Sequence, residues 1–274
     1  MITIIGTGHI FDLSDRIHTI IQRERPDIVA VELDRRRQAV LEMDRRNRAN
    51  GIVQPLTIGF ILKPSPMPFR FRILSYVQRK LAAMNNVFPG EEMLSAMDAA
   101  RTVGAKIALI DRDINKTLTS LNQAMKGREK LRFYTSLIAG LTGIGVKKQS
   151  IGTMIEEMET KPGSMIEELG QQFPGLKRAL IDERDLHMAM ALRRLEDDFP
   201  RVIAFVGDAH LEGMKHHLDE WGLHPDVLHL NSLLKEPVMG KGALMGNDLM
   251  EGPGDSFMND SVQERTDSVN IRIH

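Results

Sequence analysis

A repeated pattern near the two ends of the sequence most constrains how this chain can fold. Residues 2–32 read ITIIGTGHIFDLSDRIHTIIQRERPDIVAVE, and residues 202–231 read VIAFVGDAHLEGMKHHLDEWGLHPDVLHLN. Each segment has an apolar stretch, a Gly-x-x-His motif, an amphipathic helical pattern, Pro-Asp and a second apolar stretch. The repeat predicts two βαβ-like halves, each carrying one Gly-x-x-His motif.

Short apolar runs between polar segments indicate the strands of the fold. Five of them are rich in β-branched residues and are bounded by Gly, Pro or charge, at residues 2–5, 28–32, 106–110, 202–206 and 226–230. Helical patterns separate these runs, and several more between residues 111 and 199 indicate a helical insertion between the two halves. The alternation predicts an α/β fold with a central, mostly parallel sheet covered by helices.

The pattern of elements ends before the chain does. We predict one α/β domain at residues 1–235 and a flexible polar tail at residues 236–274, where periodicity is lost. Residues 53–72 differ from the rest of the domain because three prolines lie within five residues. They form either a wall of a ligand cleft or an irregular apolar connection packed on the sheet.

Composition narrows the classes of partner and compartment. The chain has 36 basic and 37 acidic side chains, so it lacks the positive excess typical of proteins that bind nucleic acid. It has no cysteine, which excludes disulfides, zinc-thiolate sites and a cysteine nucleophile. No signal-peptide pattern or stretch long enough for a transmembrane segment is present. We expect a cytoplasmic protein, and assembly into a homo-oligomer stays open.

The strongest candidate site joins the two repeated motifs. Ligands of parallel sheets bind beyond the C-terminal ends of the strands, where His9 and His210 follow their glycines and Glu32 ends a predicted strand. We expect the glycine to let the backbone turn sharply. Two imidazoles and one carboxylate suit a divalent metal ion such as zinc, manganese or cobalt, whose bound water is acidified. The alternatives are a catalytic role for Glu32 as a base, structural histidines, and a metal-free general base at His9.

Further charged residues are predicted near the same edge. Asp111 and Arg112 follow the third predicted strand, where an arginine can hold a substrate carboxylate with two parallel hydrogen bonds. Glu183 and Arg184 open a long helical pattern and offer the same chemistry, with surface ion pairs as the alternative. The arginines between residues 35 and 48 are expected on a solvated helix face.

Three more acidic residues are candidates for binding substrate. Glu91 and Glu92 begin a helical pattern after Pro-Gly, with helix capping as the alternative, and Asp208 lies inside the second motif. Residues 6–8 also resemble the start of a dinucleotide-binding fingerprint. Its third glycine is replaced by Phe11, which argues against a nicotinamide cofactor.

Six motifs in order resemble the TraB/PrgY family. They are GTGHI (6–10), VELD (31–34), PGEEMLSAMDAA (89–100), ALIDRDINKTL (108–118), ERDLHMA (183–189) and VGDAHLEGM (206–214). That family is related to the Tiki metalloproteases and, more distantly, to ChaN-like haem-binding and erythromycin-esterase-like proteins. The resemblance implies a single domain of two Gly-x-x-His halves around a central sheet.

The resemblance also implies an activity and its residues. In the Tiki branch it implies metal-dependent peptide hydrolysis, with His9, Glu32 and His210 at the metal. Arg112 and Arg184 match family positions that look like site-shaping residues, and we expect them to orient the substrate or stabilise the developing oxyanion. The alternative is a non-catalytic protein that sequesters a peptide or a haem-like ligand.

Overall fold

The strands form one parallel sheet. The structure is a computed structural model that describes residues 1–8, 13–51, 90–142, 167, 170–235 and 268–269. Its strands are β1 (Ile2–Thr7), β2 (Ile28–Val31), β3 (Lys106–Leu109), β4 (Val202–Gly207), β5 (Asp226–Leu228) and β6 (Ser268–Val269). They lie in the order β5-β1-β4-β2-β3-β6, and every pair is parallel. The predicted α/β class is confirmed, and β1 to β5 match the five predicted runs.

Helices cover both faces of the sheet. They are α1 (Ser14–Glu24), α2 (Arg35–Ala49), α3 (Glu91–Val103), α4 (Ile114–Ala124), α5 (Gly127–Thr142), α6 (Pro174–Lys177), α7 (Glu183–Asp198), α8 (Leu211–Glu220) and α9 (Leu230–Leu233). A π-helix at Arg178–Asp182 joins α6 to α7, and a 3-10 turn at Asp208–His210 joins β4 to α8. None of the helices in the described ranges combines the length and hydropathy needed to cross a bilayer.

Two apolar cores lie on opposite faces of the sheet. On one face, α1 packs against α3 through buried side chains that include Ile17 and Met97. On the other face, α7 packs against α8 through side chains that include Met188 and Met214. Because the strands are covered on both faces, their sequences are continuously apolar rather than alternating.

The two segments that carry the repeat interleave in the sheet. β4 lies between β1 and β2, while β1 lies between β4 and β5. The register places Thr7 beside Gly207 and Val31 beside Phe205. The C-terminal ends of β1, β2 and β4 are therefore neighbours, although the equivalence of the two halves stays a prediction. His9, residues 53–72 and most of the predicted tail lie outside the described residues.

Candidate functional site

Two carboxylates are buried at the C-terminal edge of the sheet. The N–H of Glu32 donates to the carbonyl of Phe205 at 3.1 Å, and the N–H of Asp111 donates to that of Leu33 at 3.2 Å. These bonds continue the strand pairing beyond β2 and β3. The exposed fractions of Glu32 and Asp111 are 6% and 8%. Carboxylates this deeply buried require a cation or several hydrogen-bond donors.

Arg184, in the first turn of α7, supplies the cation. Its Nη2 forms a close ion pair with Oε1 of Glu32. Its Nε and Nη2 donate to the two carboxylate oxygens of Asp111, both at 2.9 Å. Its Nη1 also donates to the carbonyl of Leu180 in the preceding π-helix, at 3.1 Å. The planar guanidinium therefore links the ends of β2 and β3 to α7.

The ion pairs keep these groups charged. Burial raises the pKa of Glu32, but the positive charge of Arg184 and the hydrogen bond from Gly207 help to hold it well below its usual range. Burial lowers the pKa of Arg184, whereas the charges of Glu32 and Asp111 raise it above its ordinary value. Glu32 and Arg184 are thus ionised at neutral pH.

His210 completes this buried cluster. Its Nδ1 lies 2.5 Å from Oδ1 of Asp185, and its Nε2 lies 3.1 Å from Nη1 of Arg184 and 3.6 Å from Oε1 of Glu32. A guanidinium only donates hydrogen bonds and a carboxylate only accepts them. The neutral ring that satisfies both neighbours carries its proton on Nδ1 and its lone pair on Nε2, the nitrogen facing Glu32.

Oε1 of Glu32 and Nε2 of His210 fit a shared divalent cation. Their separation of 3.6 Å is close to the roughly 3.4 Å between two ligands of a tetrahedral ion. The carboxylate of Asp185 on Nδ1 is the usual support of a metal-bound imidazole. Because Arg184 contacts both candidate ligands, metal binding requires its guanidinium to withdraw from them. Within the described ranges no three imidazole, thiol or carboxylate groups form a metal site, and His9 lies outside those ranges.

The two motif glycines let carboxylate side chains pack closely against the backbone. Neither Gly6 nor Gly207 has a positive φ, so the backbone conformation does not itself require glycine at either position. The N–H of Gly207 donates to Oε2 of Glu32 at 2.6 Å, and a Cβ at Gly207 would lie 3.3 Å from that oxygen. A Cβ at Gly6 would overlap the carboxylate of Asp208. A side chain at Gly6 would displace the carboxylate of Asp208, and one at Gly207 would be in tight contact with that of Glu32.

Arg112 and Glu183 lie in a second, neighbouring cluster. Nη1 of Arg112 is 2.5 Å from Oε2 of Glu183, which also accepts a close hydrogen bond from Ser120. Arg178 binds the other oxygen of Glu183 at 3.1 Å. All four side chains line a cavity of about 760 Å³ between α4 and α7. Arg112 and Glu183, both predicted site residues, therefore face the cavity. Their neighbours in the chain are Asp111 and Arg184.

The arginine-rich helix α2 is less solvated than its sequence predicts. Arg45 and Arg48 bind Glu91 of α3 at 2.8 and 2.7 Å. Nη1 of Arg37, whose side chain is 37% exposed, donates to Oδ2 of Asp111 at 3.0 Å, a contact with the buried cluster that the sequence did not indicate. Glu91 instead serves to attach α2 to α3.

The remaining candidates bind backbone groups. Oε2 of Glu92, which is 3% exposed, accepts a hydrogen bond from the N–H of Gly90 at 3.1 Å, at the start of α3. Oδ1 of Asp208 accepts one from the N–H of Leu230 at 2.7 Å, at the start of α9. These contacts are those of residues that fix helix termini.

Comparisons with known proteins agree with the motifs. Residues 1–223 match the sequence model of the TraB/PrgY/gumN family. An uncharacterized protein of Methanocaldococcus jannaschii is 32% identical over 237 residues, covering 85% of this chain and 58% of the relative. TraB domain-containing proteins of Bos taurus and Homo sapiens are 28% and 26% identical, covering 77% and 87% of this chain. The chain spans 61% and 67% of the length of those two relatives.

Proposed function

Because the chain belongs to the TraB/PrgY/gumN family, we propose that it is a metal-dependent hydrolase that cleaves peptides beside Glu32 and His210. One observation carries the proposal. The ring of His210 is held by Asp185 so that its Nε2 lies 3.6 Å from Oε1 of the ionised carboxylate of Glu32. A buried imidazole and a buried carboxylate in this relation are suited to holding a cation.

Three residues would hold the metal ion. They are Glu32, His210 and His9, the last of which is assigned by the sequence motif alone. Zinc, manganese and cobalt all accept nitrogen and oxygen ligands of this kind. When bound, such an ion lowers the pKa of its water and so provides a nucleophile at neutral pH.

Arg184 would have two roles in this mechanism. In the described arrangement it balances the charges of Glu32 and Asp111. A cation bound to Glu32 and His210 would replace the guanidinium at those atoms, while two hydrogen bonds of 2.9 Å keep Arg184 on Asp111. The released N–H groups would then be available to the oxygen that becomes negative when a carbonyl is attacked.

A second function is favoured by the same ion pairs. Arg184 already satisfies Glu32 and Asp111 and also donates to Nε2 of His210, so the cluster is balanced without a metal. A protein that sequesters a peptide or a haem-like ligand needs a pocket and fixed polar groups, but no open coordination position. Such a binder would show affinity without turnover.

The deciding experiment combines metal binding with peptide cleavage. Purified protein is titrated calorimetrically with Zn²⁺, Mn²⁺ and Co²⁺, and a mixed pool of synthetic peptides is analysed by mass spectrometry with and without chelator. His210→Ala should abolish both metal binding and cleavage. His216→Ala, a histidine on α8 whose side chain is 69% exposed, should retain both.

The other outcomes separate the alternatives. Peptide binding without cleavage under every metal would support the sequestering protein and contradict the hydrolase. Cleavage that survives chelation would contradict the metal requirement and indicate a metal-free hydrolase. Cleavage that survives His210→Ala would exclude the proposed site.

A further inference from the structure

We propose that the cavity between α4 and α7 binds a carboxylate of an acidic peptide substrate. Its walls carry three cationic side chains, Arg112, Lys116 and Arg178, and one carboxylate, Glu183. With His187 neutral, the lining has an excess of two positive charges, which attracts an anionic group. The inference rests on the proposed peptide hydrolysis and names the class of peptide that the site selects.

Lys116 is the cation of the cavity that is most available to an incoming anion. Arg112 and Arg178 both bind Glu183, at 2.5 and 3.1 Å. The side chain of Lys116 is exposed and forms no ion pair or hydrogen bond with another residue of the described ranges. An incoming carboxylate can therefore bind Lys116 without breaking an existing ion pair, and can share Arg112 or Arg178 once it is in place.

His187 adds an uncharged polar group to the same wall. Its ring is half-buried on α7, one helical turn from Glu183. Burial lowers the pKa of His187, and the charges of Arg112 and Lys116 lower it further against the opposing effect of Asp111. A ring that is neutral at pH 7 can donate one N–H to an anion, and it adds no positive charge to the cavity wall.

The size and walls of the cavity fit a peptide side chain better than a bare inorganic anion. Its volume of about 760 Å³ lies within the range of roughly 300–1,000 Å³ typical of ligand pockets. Leu186, Met190 and Ala124 give it an apolar surface beside the cations. An aliphatic segment ending in a carboxylate would contact both kinds of wall.

The lining of the cavity adjoins the proposed cleavage site along the chain. Arg112 follows Asp111 in the chain, and Glu183 precedes Arg184, so the two clusters share two short backbone segments. Arg184 binds both Glu32 and Asp111, while Arg112 and Glu183 face the cavity. A carboxylate held in the cavity would position neighbouring peptide groups near the edge of the sheet.

A binding experiment in chelator tests the cavity separately from catalysis. Three synthetic probes are titrated into the full chain by calorimetry: acetyl-Ala-Glu-Ala-amide, acetyl-Ala-Gln-Ala-amide, and acetyl-Ala-Gln-Ala with a free C-terminal carboxylate. At least one acidic probe should bind about tenfold more tightly than the neutral amide, as expected for one charge-assisted hydrogen bond. The acidic probe that binds more tightly identifies the side chain or the chain terminus as the source of the carboxylate.

Two variants assign the effect to the cavity. Lys116→Gln removes a cation that has no partner within the described part of the chain, and should weaken binding of the acidic probe about tenfold while leaving that of the neutral probe unchanged. Lys126→Gln, an exposed lysine outside the cavity lining, should change neither. Equal affinities of all three probes, or an acidic probe unaffected by Lys116→Gln, would overturn the inference. Because turnover is not measured, selective binding would stand even if no peptide were cleaved.

Discussion

Asp185 holds Nδ1 of His210 at 2.5 Å, and the two residues are 3% and 4% exposed. Asp185 belongs to α7 and His210 to the turn after β4, so the contact fixes the helical layer to the edge of the sheet. Burial raises the pKa of the Asp185 carboxyl above its ordinary value, although the hydrogen bond with His210 opposes that shift. The orientation of the His210 imidazole therefore depends on a residue of a different element.

Asp185→Asn should weaken metal binding by about 10- to 100-fold and reduce peptide cleavage in parallel. An amide facing the ring can donate to Nδ1, which would move the ring proton to Nε2 and remove the lone pair that faces Glu32. Calorimetric titration with Zn²⁺ or Mn²⁺ measures the change. Asp182→Asn, with an aspartate that is 47% exposed, should behave as wild type. Equal metal affinity of Asp185→Asn and wild type would contradict the role of Asp185.

Gly213→Ala should disturb the same contact from the opposite side. A Cβ at Gly213 of α8 would overlap Oδ2 of Asp185 and approach its Cγ to 2.8 Å, so the carboxylate must move away. We expect a loss of about 1–3 kcal/mol in the free energy of unfolding, as for other overpacked sites, together with weaker metal binding. Urea denaturation measures the first effect and calorimetry the second.

Gly127→Ala is the matched control for that substitution. Gly127 begins α5, has no positive φ, and has no heavy atom within 4 Å of an added Cβ. It should leave the stability unchanged or slightly increase it, because alanine favours helix. A Gly213→Ala protein as stable as Gly127→Ala would show that Asp185 can relocate without cost.

Burial explains which parts of the fold the sequence predicted. All four residues of β2 are buried, and a strand covered on both faces must be apolar throughout, as residues 28–31 of the predicted run 28–32 are. β6 consists of only Ser268 and Val269, too short a run to carry a pattern. The sequence does not distinguish the π-helix at Arg178–Asp182 from an α-helix, because hydrophobic periodicity is nearly the same in a single π-turn.

The site was predictable where it depends on strand ends and unpredictable where it depends on helix orientation. Glu32 and His210 follow strands, so the parallel sheet brings them together. The roles of Asp185 and Arg37 depend on which faces of α7 and α2 turn towards the sheet, which residue spacing does not determine. Asp185 had one signal in the sequence, its position directly after Arg184.

Arg184→Met should be the most destabilising of these substitutions. It removes the cation from Glu32 and Asp111, whose side chains are 8% and 3% exposed, and leaves two buried carboxylates in contact with the end of α7. Removing one partner of a buried ion pair typically costs about 3–5 kcal/mol in the free energy of unfolding. Urea denaturation at neutral pH measures the loss.

Two further arginine variants define the cause of that loss. Arg184→Lys keeps the charge but cannot reproduce the forked hydrogen bonds, so its stability should lie between those of wild type and Arg184→Met. Arg178→Met removes an arginine that is 69% exposed and should cost no more than about 1 kcal/mol. If Arg184→Met were no less stable than Arg178→Met, the buried ion pairs would not contribute as the contacts indicate.

Glu183 should make stability depend on pH in mildly acidic solution. Burial raises the pKa of Glu183, but hydrogen bonds from Ser120 and Arg112 lower it by more. The pKa of Glu183 in the folded protein therefore lies below its ordinary value. The unfolded chain then binds the proton more readily than the folded protein does. The contribution of Glu183 to stability is fully present above the unfolded pKa of about 4.3 and is lost as the pH falls through the folded pKa.

The free energy of unfolding, measured in urea between about pH 6 and pH 3, should therefore fall more steeply for wild type than for Glu183→Gln. At neutral pH the variant should be the less stable protein, since Arg112 loses its charged partner, and the gap should narrow as acid protonates the wild-type carboxylate. Glu212→Gln, whose glutamate is 75% exposed, is the matched control and should follow the wild-type curve. A gap that stays constant or widens in acid would mean that the contacts with Ser120 and Arg112 do not stabilise the charged form of Glu183.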